Sequence, residues 1–196
     1  MMGETMETKQ SGNRIRPPRG FNHRNVIVRV AAMILAGWSL AGSSVVAGAD
    51  DFPTNGVDGD VHLDLGSVET QPLLGRGWST AERSGSDSYR WMNAVEADVT
   101  IEANGDGPAD LWIRARPQYL PYTRQRVAVY VNGRFVSEWT CPRDVHFAAH
   151  RFPIPAGFLE AGINRLTLRA AYRKSVGPDT RRLSLCVDRI LLRPHR

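Results

Sequence analysis

This chain is poor in lysine, cysteine, long apolar runs and helical periodicity, and each shortage excludes something. Of its 196 residues only Lys9 and Lys174 are lysines and only Cys141 and Cys186 are cysteines. Basic patches in which lysines interleave with aromatics are therefore absent, which disfavours nucleic acid as a partner although the pI is near 9.7. A single run, Val30 to Val46, is apolar enough to enter a bilayer, so a polytopic membrane protein is excluded. No G-x-S-x-G elbow occurs, and His146 and His150 lack the intervening Glu of a zinc-protease motif. Carboxylate pairs such as Asp58/Asp60 and Asp179/Asp188 carry no glycosidase assignment, because separation in space decides that role. The sequence reads as no enzyme, with no metal site and no cofactor.

What is present divides the chain at about residue 50. Residues 1–29 hold six basic and two acidic side chains, a net +4. The apolar run follows, and then Ala47-Gly48-Ala49, the small-x-small pattern that a signal peptidase accepts. Residues 1–49 are expected to be a signal peptide cleaved after Ala49. The alternative is a retained membrane anchor, for which 17 apolar residues interrupted by Gly and Ser are at the short limit. Either outcome places the remainder outside the cytoplasm, periplasmic or extracellular.

Removing this segment changes the charge. Residues 50–196 carry 19 basic and 18 acidic side chains, arranged with a net −10 over 50–110 and +11 over 111–196. We expect the two halves to neutralise each other within one fold; the other reading is polyanion binding by the basic half.

Period-two alternation dominates after residue 60. Ala97, Val99 and Ile101 alternate with charged neighbours. So do Leu111, Ile113 and Ala115 with Trp112, Arg114 and Arg116. Val127, Val129 and Val131 lead into Asn132-Gly133, whose tolerance of positive φ predicts a type I′ hairpin over Arg126–Thr140. Val61–Leu65 and Tyr89–Met92 are shorter strand candidates, and Arg165–Tyr172 and Leu183–Leu192 close the series. A phase change at Asp188-Arg189 predicts a bulge. One helical turn is expected at Ala156–Glu160. The expected organisation is a flexible leader over 50–60 and an antiparallel, all-β sandwich of jelly-roll type over 61–196.

Several segments carry a resemblance. Val129-Tyr-Val-Asn-Gly-Arg-Phe-Val136 followed by Trp139 resembles the hairpin of galactose-binding-like jelly rolls. Phe152-Pro-Ile-Pro155 with Leu159, Gly162, Asn164, Leu166 and Leu168 is similar to their edge motif, and Leu183 to Leu192 to their closing strand. Gly77-Trp78, Glu82, Arg90-Trp91 and Ile113-Arg-Ala-Arg-Pro117 resemble domains appended to bacterial cell-envelope enzymes and glycosyltransferases. The resemblance spans about residues 75–193 and implies the fold, which hosts sugar binding, calcium binding and structural roles alike.

Three groups of residues are singled out. Cys141 and Cys186 are an even pair for an oxidising compartment and are expected to bridge, adding about 3 to 4 kcal/mol in the chain-entropy model. Two separate thiols are the alternative. Asp58, Asp60 and Asp64 offer carboxylates to calcium, against the plainer reading of a solvated leader. Trp112, Arg114, Arg116, Tyr119, Tyr122 and Arg124 form the strongest lead. Guanidinium forks suit carboxylates or sulfates and aromatic faces stack on pyranoses, so the strip would bind an acidic polysaccharide. Its competitor is structural: Trp112 packs beneath the loop and the arginines pair with Glu96, Asp98 and Glu102 across a sheet. The partner is thus a polysaccharide or another envelope protein, and a membrane only if the N-terminal segment stays. The functional expectation is an exported, carbohydrate-binding or accessory module; the alternative is a structural or protein-interaction module.

Overall fold

The computed structural model describes residues 52–143, 146–175 and 178–195, with the backbone of Val45, Val46 and Val176. The predicted signal peptide lies outside the described residues, apart from the backbone of strand β1 (Val45–Val46). The other strands are β2 (Val61–Asp64), β3 (Trp78–Ser84), β4 (Asp87–Met92), β5 (Glu96–Ala103), β6 (Ala109–Pro117) and β7 (Arg126–Val131). They continue with β8 (Arg134–Thr140), β9 (Ala148–Ile154), β10 (Gly162–Ala170), β11 (Lys174–Val176), β12 (Asp179–Leu183) and β13 (Leu185–Pro194).

Two large antiparallel sheets form, beside a small two-stranded pair of β11 and β12. One runs β1-β9-β6-β13-β4-β3, with β2 also paired to β13, and the other runs β5-β10-β7-β8. The chain changes sheet at β4→β5, β5→β6, β6→β7, β8→β9 and β9→β10, which makes this a jelly-roll sandwich. The alternating apolar residues meet between the sheets. Leu111, Ile113 and Ala115 of β6, with Phe152 and Ile154 of β9, face Val99, Ile101, Val129, Leu166, Leu168 and Trp139. Truncating Phe152 or Trp139 to Ala would cost about 3–5 kcal/mol, because packed neighbours collapse only partly into the space.

The predicted hairpin is present: Asn132 (φ 52°) and Gly133 (φ 79°) turn β7 into β8. The predicted bulge is present too, with the β13–β6 register shifting between Val187 and Arg189. Five carboxylates of the acidic half pair with arginines of the basic half: Asp60–Arg193, Glu82–Arg181, Asp87–Arg114, Glu96–Arg169 and Asp110–Arg151. The charge polarity of the sequence is to this extent an internal matching.

Several expectations need correction. Residues 156–160 form no helical turn. Gly157 N–H donates to Asp106 O, while the buried Asn164 side chain accepts from Glu160 N–H and donates to Glu160 O, leaving no i→i−4 ladder. The leader is tied down over its described part: Phe52 packs on Ala149 and Leu191, and Arg193 holds the Asp60 carboxylate and the Asn55 carbonyl.

The disulfide is not formed, and Cys141 and Cys186 are free, buried thiols. Alternation explains the separation. Leu185 and Val187 point between the sheets beside Cys141, so Cys186 points out of the opposite face, among Tyr89, Trp91 and Leu183. Burial pushes both thiols up to about 12, so neither supplies a reactive thiolate near neutral pH.

Candidate functional site

The predicted strip divides between two places. Trp112, Arg114 and Arg116 do share the outer face of the seven-stranded sheet, opposite Leu111, Ile113 and Ala115. Trp112 is half-buried against Phe52, Ala149 and Leu191, with the Arg151 guanidinium 5.8 Å from its ring. Tyr119, Tyr122 and Arg124 lie beyond Pro117 in the β6–β7 connection, at the end of the sandwich. None of Trp78, Trp91, Trp112 and Trp139 is exposed, so among the described residues no tryptophan stands free as a stacking platform.

The expected pairing of these arginines with Glu96, Asp98 and Glu102 is also not found. β5 and β6 are consecutive in sequence but lie in different sheets. Glu96 instead pairs with Arg76 and Arg169, and Asp98 with Arg76.

On the face of the seven-stranded sheet, the bulge at Asp188 decides the electrostatics. It turns a carboxylate with no exposed side-chain surface towards Arg114, which also bonds Asp87 Oδ1 at 3.2 Å. Burial pushes the Asp188 carboxyl above its ordinary value, with the Arg114 guanidinium opposing. Arg116 is held differently. Its guanidinium lies 5.1, 5.4 and 5.0 Å from the ring centroids of Tyr89, Trp91 and Phe147. Ser84, Asp87, His146 and Phe147 surround both arginines in an open pocket of about 290 Å³.

The second place is a groove of about 220 Å³ between the β6–β7 and β10–β11 connections. Tyr122, 93% exposed, and Tyr172, 42% exposed, both line it, with Pro121, Arg173 and Lys174. Its two walls are fastened by Gln125. The buried amide donates to Tyr172 O at 2.7 Å and accepts from Tyr172 N–H at 3.1 Å. Pro121 further restricts the wall that carries Tyr122. Tyr172 and this fastening were not legible as a site; only the aromatic loop around Tyr122 was.

His146 and His150 do not act as a pair. His150 points inward, stacked 5.1 Å from Trp139, while His146 faces the outer pocket. Burial drives the His150 pKa down to about 4. Asp60 is bonded by Arg193 at 2.7 Å and Asp64 accepts from Ser88 Oγ at 2.9 Å. No group of three or more His, Cys, Asp or Glu suited to a metal occurs among the described residues.

No protein-family model and no curated protein matches the chain. Among solved structures it is similar to a GH26-CBM35 β-(1,4)-mannanase of Podospora anserina, at 18% identity and TM-score 0.49, over 71% of this chain and 28% of that one. It is also similar to the C-terminal CBM6 of LamC, a laminarinase of Zobellia galactanivorans, at 10% identity and TM-score 0.47, over 68% and 98%. A third is the CBM35 of Cellvibrio japonicus Abf62, at 16% identity and TM-score 0.45, over 70% and 94%. The latter two are carbohydrate-binding modules.

Proposed function

We propose that this chain is an exported, non-catalytic module that binds carbohydrate in the groove between Tyr122 and Tyr172 and serves a cell-envelope polysaccharide system. The observation that carries this reading is the pair of exposed tyrosines lining one groove whose walls Gln125 fixes. Aromatic faces take the C–H side of a pyranose, and a preformed groove spares the ligand the cost of ordering the loops. Arg173 and Lys174 add positive charge and N–H donors for hydroxyl or carboxylate oxygens. The lining contains no carboxylate, so the paired acids of glycoside hydrolysis are missing from it.

Glycan-array binding followed by calorimetry tests the reading. Tyr122→Ala and Tyr172→Ala are each expected to weaken glycan binding about tenfold, corresponding to roughly 1.4 kcal/mol of lost stacking. A silent array, or binding that survives both substitutions, would overturn it. Export is tested separately by N-terminal sequencing of the secreted protein, where a start at Asp50 is expected.

A further inference from the structure

We infer that the outer edge of β9 is a strand-acceptor site. Removal of residues 1–49 uncovers it, and it then takes an extended, uncharged segment of a partner protein as an added antiparallel strand. The uncovering rests on the cleavage proposed above; the acceptor geometry does not, and neither involves the tyrosine groove.

The chain itself already uses this edge. Val45 and Val46, the end of the apolar run, pair antiparallel with Arg151 and His150. Cleavage after Ala49 takes that strand away. Phe52, packed on Ala149 and Leu191, then holds the new N-terminal end beside a strand whose remaining partner among the described residues is β6.

Other edge strands are covered, distorted or short, and this one is regular. Residues 74–76 cover β5: Leu74 bridges Val99, Gly75 N–H donates to Asp98 O, and Asp98 N–H donates to Arg76 O. The edge strand β8 carries an extra residue at Val136, and β3 has one between Trp78 and Ala81. Such bulges twist an edge away from further pairing. β2 offers only four residues. β9 instead runs in register with β6 from Ala148 to Ile154 without a bulge.

Pro153 fixes which groups the edge presents. It has no N–H yet stands opposite Asp110 in register, so these two residues form a pair without mutual hydrogen bonds. His150, Phe152 and Ile154 therefore bond to β6, while Ala149 and Arg151 direct their N–H and C=O to the outer edge. The β1 register agrees, with Val45 opposite Arg151. Alternation then selects the occupant. A residue opposite His150 shares its inward face beside Trp139 and has to be apolar; one opposite Arg151 lies on the outer face with Trp112. Arg151 already holds Asp110, so the occupant needs no charge. A second copy fits worse. Two β9 strands centred on Arg151 would oppose like guanidinium groups, and centred on His150 they would oppose two buried imidazoles.

Amide exchange followed by NMR tests this on the secreted protein and on an Ala49→Leu chain, purified in detergent, which keeps the segment. The Arg151 amide is expected to exchange at least about tenfold faster in the secreted protein, while His150 and Phe152 stay protected in both. A synthetic peptide of residues 41–49 is expected to restore the protection of Arg151. N-methylation of its Val45 removes the N–H aimed at Arg151 O and is expected to abolish the effect; N-methylation of its Val46 is expected to leave it. Equal exchange in the two forms, a peptide without effect, or loss on either methylation would overturn the proposal. N-terminal sequencing separates the failures: a start at Asp50 with no peptide effect overturns the acceptor alone, and a retained segment overturns the uncovering together with the proposed cleavage. A dimer that protects Arg151 without peptide would assign the edge to a second copy and overturn the partner strand.

Discussion

The outer faces of the two sheets carry their charge in different ways. On the four-stranded sheet, arginines and acids of neighbouring segments neutralise each other. Arg169 bonds Glu96 at 2.9 Å, Arg76 bonds Asp98 at 3.1 Å, and Thr167 Oγ1 donates to Asp98 at 2.6 Å. On the seven-stranded sheet, a bulge buries one carboxylate against Arg114 and three rings hold Arg116, with no carboxylate paired to it among the described residues. The first arrangement matches each of these acids with a partner on the same face. The second places one charge by burial and another by aromatic rings.

Substitutions can break the contrast. Arg114→Met leaves Asp188, which has no exposed side-chain surface, with only the Arg189 guanidinium at 3.6 Å, and is expected to cost about 3–5 kcal/mol in urea unfolding. The comparison variant Arg169→Met removes a half-exposed pair and is expected to cost under about 1 kcal/mol. Equal costs would mean that the two faces do not differ.

Acid sharpens the same view of inside and outside. His150, 3% exposed and stacked on Trp139, stays neutral in the fold down to about pH 4, whereas the unfolded chain protonates it near pH 6.5. The unfolded state thus binds more protons between these values, so stability falls as pH drops through this window. The loss is about 3 kcal/mol, complete below pH 4. Urea midpoints against pH should show this slope for the wild type, and it should vanish in His150→Phe.

Smaller effects follow at the groove and the thiols. Gln125→Ala loses both bonds to the Tyr172 backbone, with an expected cost of about 1–3 kcal/mol and weaker glycan binding. The smallest effect belongs to the cysteines. Mass spectrometry of the denatured protein after alkylation should find two modified thiols without reductant, and reductant should leave the melting temperature unchanged.

Strands with clean alternation were legible because a period of two is a local property: β5, β6, β7 and β10 follow directly from it. Asn132-Gly133 and the phase change at Asp188 were legible for the same reason, since turn chemistry and a slipped period are written in a few neighbouring residues. Sheet membership was not. Consecutive strands β5 and β6 look like cross-strand partners, but the chain crosses the sandwich between them, and so the partners of Arg114 and Arg116 could not be read. The cysteines failed similarly, because facing depends on which sheet each strand joins. Of the candidate site, the arginines and Tyr122 were visible as residue types. Tyr172, Asp87 and the rings around Arg116 come from distant segments that only the fold assembles.

The central claim is that a glycan meets this protein at the groove between Tyr122 and Tyr172. Amide chemical-shift mapping during titration with a binding oligosaccharide tests it most directly. The account predicts shifts confined to residues 120–123 and 172–174. Shifts clustered at Tyr130, Phe135 and Arg169 on the four-stranded face would contradict it.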